Sequence, residues 1–107
     1  MTRVFIPNLG AHDHSDAERY GELVYVTKGQ IDKFATGTMY RIWLKALKDS
    51  SPDDIILQTG LTTLCEVGCA VFGAIQGRLN LLIWRNDRYL LREMVFTELM
   101  CEMEDKK

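Results

Sequence analysis

Two short, unbroken apolar runs constrain this chain more than any other feature: Ile55-Ile56-Leu57, set between Asp54 and Gln58, and residues 79–84, interrupted only by Asn80. A strand with one wet face alternates polar and apolar residues, whereas continuous apolarity marks a strand covered on both faces, as in a parallel sheet. Between the runs, residues 61–76 carry a single charge, Glu66, and Gly77 stands where a helix C′ glycine belongs. Strand, helix, strand is a βαβ crossover, and its expected hand is right.

The rest of the chain reads around that unit. Residues 3–7 form a strand that Pro7 and Asn8 stop, and a polar loop follows over 8–14. Ser15 with Glu18 three residues on is a capping-box pattern for a short helix that Gly21 closes. A second strand spans 22–27, with Lys28 and Gly29 as its exit. From Ile31 the period becomes helical through Phe34, Met39, Ile42, Trp43 and Leu47, the regular part beginning at Thr38 because Gly37 weakens the turn before it. Arg85 to Arg88 has hairpin turn residues, so 89–95 returns as an antiparallel edge strand, and 97–107 makes a last helix frayed over 102–107. The fold class is therefore α/β: a small Rossmann-like three-layer domain with a mainly parallel sheet of about 4–5 strands and a C-terminal antiparallel edge hairpin. A chain of 107 residues suits a single domain of that kind.

Composition then excludes several classes. A net charge of −2 provides no basic field for long duplex nucleic acid. The N-terminus lacks a signal-peptide pattern, and the longest weakly charged stretch, 61–75, falls short of a membrane span and contains Glu66. Three cysteines, an odd count, point to free thiols and a cytoplasmic, reducing setting. Cys65 and Cys69 read as small buried hydrophobes. A helix apolar on nearly every side needs a second cover, and the small residues Gly68, Ala70, Gly73 and Ala74 fit a homodimer through 61–76.

Ligands of open parallel sheets bind beyond the carboxyl ends of the strands, where helix N-termini and loop amides converge. That rule selects the loops after each strand. Asn8, Gly10 and Ser15 lie in the first, Thr27 and Lys28 in the second, and Gln58, Thr59, Gly60, Thr62 and Thr63 in the third. Gly60 permits a sharp turn, while Thr62 and Thr63 offer hydroxyls and amides at a helix start, either for a phosphate or for ordinary N-capping. His12 and His14, with Asp13, Ser15 and Asp16, supply imidazoles able to carry a proton near neutral pH, although the same residues serve as loop caps. No metal-ligand spacing, P-loop or dinucleotide fingerprint is present, so neither a metal nor a cofactor is expected. After the fourth strand, Arg85, Arg88 and Arg92 mix with Trp84 and Tyr89 as single-stranded nucleic-acid sites do, or as a guarded edge strand does.

The run Asp54-Ile-Ile-Leu-Gln-Thr-Gly60, its small-residue helix, and Leu79-Asn-Leu-Leu-Ile-Trp84 with the hairpin resemble small CRISPR-associated Rossmann-like proteins of the CARF-related kind over residues 54–95. That resemblance implies a homodimer whose loops bind, and in some members cleave, cyclic oligoadenylates, with Gln58, Thr59, Gly60, Thr62 and Thr63 facing the ligand at the dimer junction. The leading expectation is a homodimeric module binding a nucleotide or other phosphate ligand, with hydrolysis through His12 or His14 as an extension. The alternative is a non-enzymatic structural or inhibitory interaction protein of viral or mobile-element origin.

Overall fold

The computed structural model describes residues 1–59 and 61–105. Five strands form one sheet: β1 (Arg3–Leu9), β2 (Glu22–Lys28), β3 (Ile55–Leu57), β4 (Arg78–Arg85) and β5 (Arg88–Val95), in the order β2-β1-β3-β4-β5. The two apolar runs are parallel neighbours, with Ile56 opposite Leu81 and Leu57 opposite Leu82. Helix α1 (Thr36–Leu47) joins β2 to β3, α2 (Thr62–Gln76) joins β3 to β4, and α3 (Phe96–Asp105) follows β5. The last helix takes in 102–105 of the stretch expected to fray, and residues 106–107 lie outside the described residues.

The sheet separates two cores. On one side Phe5, Ile56 and Leu79 pack with Met39, Trp43 and Leu47 of α1 and with Leu64, Val71 and Phe72 of α2. On the other, Val4, Ile6, Ile55, Leu57 and Leu82 are covered by Ala17 and Tyr20 of a single 3-10 helix, Ser15–Tyr20, so the third layer is one short turn thick. The small residues of α2 belong chiefly to this packing. A Cβ on Gly68 would lie 2.4 Å from the Trp43 ring, and one on Gly73 would lie 2.7 Å from Phe96. Trp43 Nε1 also donates to the Leu64 carbonyl at 2.8 Å, which fixes the ring over that gap. Of the residues read as a contact stripe, Ala70 and Ala74 remain exposed.

Several boundaries differ from the sequence reading. β1 continues through Pro7 to Leu9, because β3 pairs only with Val4 and Phe5 and so makes no demand on the missing proline N–H. The capping box does not form: His14 is the N-cap and makes no side-chain cap bond, while the Asp13 carboxylate accepts the Ser15 N–H at 2.9 Å. Helix α1 starts at Thr36, since the Asp32 carboxylate accepts the Phe34 N–H at 3.0 Å and holds 32–34 in a turn. Ile31 packs on the core from that turn, whereas Phe34 is 82% exposed. Leu61, not Thr62, is the N-cap of α2, again without a side-chain bond. Gly77 ends α2 with φ 69°, the left-handed cap expected of it, and Asn86 and Asp87, with φ 53° and 64°, make the β4–β5 turn.

Candidate functional site

The strand order reverses between β1 and β3, since β1 leads to one edge and β3 toward the other. Loops leaving these two strands must diverge, and a crevice opens beyond their carboxyl ends. The structure places a cleft of about 470 Å³ there, walled by His12, Asp13 and His14 after β1, Leu57, Gln58 and Thr59 from β3, and Trp84 and Tyr89 from the β4–β5 hairpin. A smaller recess of about 310 Å³ shares His12, His14 and Thr59 with it and adds Asn8, Gly10 and Leu61.

His14 is the central group. It is 8% exposed, with its ring tilted against Tyr25 at a centroid distance of 6.0 Å, and its carbonyl accepts the Ala17 N–H at 2.9 Å to start the 3-10 helix. Burial pushes its pKa below 6.5, and proximity to His12 adds to that; Asp13 opposes it. The imidazole is therefore neutral at neutral pH. Among the described residues its buried Nδ1 has no hydrogen-bond partner, and neither has the buried Oγ1 of Thr59, which also lines the cleft. Asp13 sits below the usual carboxylate range because the Ser15 backbone N–H and side chain bond its charged form.

The aromatic wall is built by the hairpin. Trp84 is 49% exposed and meets Tyr89 edge-on, with centroids 4.8 Å apart. The Tyr20 hydroxyl donates to the Tyr89 carbonyl at 3.0 Å, which ties the 3-10 helix to β5. Burial first, and then the charge of Asp16, raises the Tyr89 pKa, so its phenol stays protonated.

The sequence candidates separate into three groups. His12, His14, Gln58 and Thr59 meet at the cleft, and Asn8 and Gly10 at the adjoining recess. Thr27 Oγ1 lies 2.7 Å from the Pro7 carbonyl and 2.8 Å from Asn8 Oδ1, while Asn8 Nδ2 donates to the Gly29 carbonyl at 2.8 Å; this clasp binds the ends of β1 and β2. Ser15 and Lys28 are exposed outside these walls, Thr63 is half-buried in the first turn of α2, and Gly60 lies outside the described residues. Thr62 lines an adjoining cavity of about 280 Å³ that shares Gln58 and Thr59 with the cleft and adds Cys65, Glu66 and Cys69. There the two thiols influence each other, which favours one thiolate at Cys65 against the opposing effect of burial and raises the pKa of Cys69. The sequence reading missed Trp84 and Tyr89 as cleft residues. The strand-end rule had selected Arg85 to Arg88, and the two aromatics flank that segment as the cross-strand pair next to Arg85 and Arg88.

Among the described residues no group of three or more His, Cys, Asp or Glu is arranged to hold a metal ion, and no helix is long and apolar enough to cross a membrane. No curated protein and no solved structure matches this chain. The likeness to CRISPR-associated proteins over 54–95 is overturned by a family model of a different kind: that of the phage Pam3 gp32-like protein, which matches residues 2–97. The earlier likeness rested on a strand-helix-strand pattern that many parallel sheets share. With residues 2–97 matched, the chain belongs to the phage Pam3 gp32-like protein family.

Proposed function

We propose that this chain is a phage-encoded, non-enzymatic interaction protein that holds a segment of a protein partner in the cleft beyond β1 and β3. One observation carries this reading: two residues that line the cleft, His14 and Thr59, each hold a buried polar atom, Nδ1 and Oγ1, with no partner among the described residues. Each such atom costs about 1–3 kcal/mol until something bonds it, and an amide or polar side chain entering the cleft would do so. Trp84 and Tyr89 add aromatic surface of the type that dominates interface energetics. The residues walling the cleft include Asp13 but no Lys or Arg, which disfavours a phosphate relative to an uncharged group. Membership of a phage family supports a viral origin, and the free thiols Cys65, Cys69 and Cys101 support action in the host cytoplasm.

A second reading rests on position alone. A crevice at the point of strand-order reversal is where nucleotide ligands bind in such sheets. A nucleotide there would meet Gln58 and Thr59, with Thr62 in the adjoining cavity, and hydrolysis would fall to His12 or His14.

Thermal denaturation in the presence of a nucleotide and cyclic-oligonucleotide panel separates the two. The interaction reading expects no rise in Tm, together with a phage protein that co-purifies with the wild type from infected cells and is lost with Trp84→Ala. A nucleotide-dependent rise in Tm that Gln58→Ala or Thr62→Ala abolishes would overturn it in favour of the second reading.

A further inference from the structure

We propose that β2 is a self-association edge: two copies of this chain join β2 to β2 in antiparallel register centred on Tyr25, extending the sheet across a two-fold axis. The strand order leaves β2 at one edge, where it pairs with β1 alone among the described residues. The Glu22 N–H points inward and donates to the Thr2 carbonyl at 3.0 Å. Backbone groups alternate in direction along a strand, so the N–H and C=O groups of Leu23, Tyr25 and Thr27 point outward.

The two edges of the sheet are treated differently. Along the opposite edge β5 sets exposed Arg88, Arg92 and Glu93, a common defence against edge-to-edge pairing. β2 has charges only at its ends, exposed Glu22 and Lys28, with uncharged half-buried residues 23–26 between them. Neither terminal charge takes part in an ion pair among the described residues, where the pairs are Arg3–Asp54 and Arg78–Glu93.

The positions of these two charges identify the occupant. Tyr25 stands midway between Glu22 and Lys28. An antiparallel copy centred there places Glu22 of each chain opposite Lys28 of the other, so both ends close with opposite charges. Leu23 faces Thr27, Val24 faces Val26, and Tyr25 faces itself, the reciprocal pattern that a two-fold interface requires. A slip of one residue misplaces both charge pairs and sends each side chain to the wrong face. The same axis, perpendicular to the sheet, sets both helical layers on one side. The cleft between β1 and β3 takes no part in this pairing.

Sedimentation equilibrium over a concentration series, with amide hydrogen exchange, tests the assignment. The wild type is expected to dimerise, with the amides of Leu23, Tyr25 and Thr27 protected in the dimer. Lys28→Glu sets carboxylates against each other at both ends and should weaken the dimer by about tenfold. The double swap Glu22→Lys with Lys28→Glu should restore it. Both positions are exposed, so monomer Tm serves as the folding control. A wild type that stays monomeric at millimolar concentration overturns the proposal. So does a dimer indifferent to Lys28→Glu, one that the double swap fails to restore, or one that dissociates instead on Ala70→Arg in α2.

Discussion

The two ends of the sheet handle buried polar atoms in opposite ways. At the amino ends of β3 and β4, Asp54 is fully buried and accepts the Arg3 N–H at 2.9 Å, the Ser51 N–H at 2.9 Å and the Arg3 guanidinium at 3.3 Å. Beside it Asn80, 3% exposed, donates to the carbonyls of Pro52 and Asp54 and accepts from Arg78, which in turn pairs with Glu93 at 2.7 Å. At the carboxyl ends, His14 Nδ1 and Thr59 Oγ1 are buried without partners among the described residues, in side chains that line an open cleft. A closed network is worth stability and fixes how strands seat, whereas orphan atoms are carried at a loss unless a ligand bonds them. The contrast sets one end apart as structural and supports the proposal that the other end binds.

The largest expected effect tests the closed end. Asp54→Ala leaves two backbone N–H groups without their acceptor and the Arg3 guanidinium with only the Asp49 carbonyl, and should lower unfolding stability by about 3 kcal/mol in urea denaturation. Asn80→Leu removes the bridge between Pro52, Asp54 and Arg78 and should cost about 2 kcal/mol, with the loss reduced in an Asp54→Ala background because the two share a network. Additive losses would mean that this end is a set of independent bonds.

At the open end the expected sign reverses. Thr59→Val deletes an unpartnered buried hydroxyl at nearly constant shape and should raise stability by about 1 kcal/mol by the same measurement. A loss of that size would show that the hydroxyl has a partner within the chain, and the contrast between the ends would fail. The smallest effect is in pH. His14 binds its proton more weakly in the folded chain than in the unfolded one, so its contribution is fully present above 6.5 and declines as pH falls from there through its lowered folded value. Tm measured from pH 7.5 to pH 5 should fall in the wild type more than in His14→Phe; parallel curves would remove His14 from the pH response.

Much of the fold was legible because its signals are local. Continuous apolarity identified β3 and β4 as covered strands, the left-handed requirement at Gly77 identified the end of α2, and turn residues located the β4–β5 hairpin. The misread boundaries share a cause. Asp13 and Asp32 accept backbone N–H groups two residues on, and that local competition displaced the capping box and the early start of α1. The cleft was half legible, because the strand-end rule found His12, His14, Gln58 and Thr59, whereas Trp84 and Tyr89 were read with the arginines of the hairpin and not with those residues.

The sequence by itself determined which segments are strands and helices, since hydrophobic period and turn chemistry act over a few residues. Tertiary structure alone decided what the small residues of α2 are for, because the neighbours that fill Gly68 and Gly73 are Trp43 and Phe96, more than twenty residues away in each case. It also decided which polar atoms are satisfied. Asp54 finds its donor at Arg3 and Asn80 its acceptors at Pro52 and Asp54, while His14 Nδ1 and Thr59 Oγ1 find no partner among the described residues. Hydrogen bonding is short-ranged in space and indifferent to distance along the chain, so satisfaction exists only once the sheet has brought its ends together.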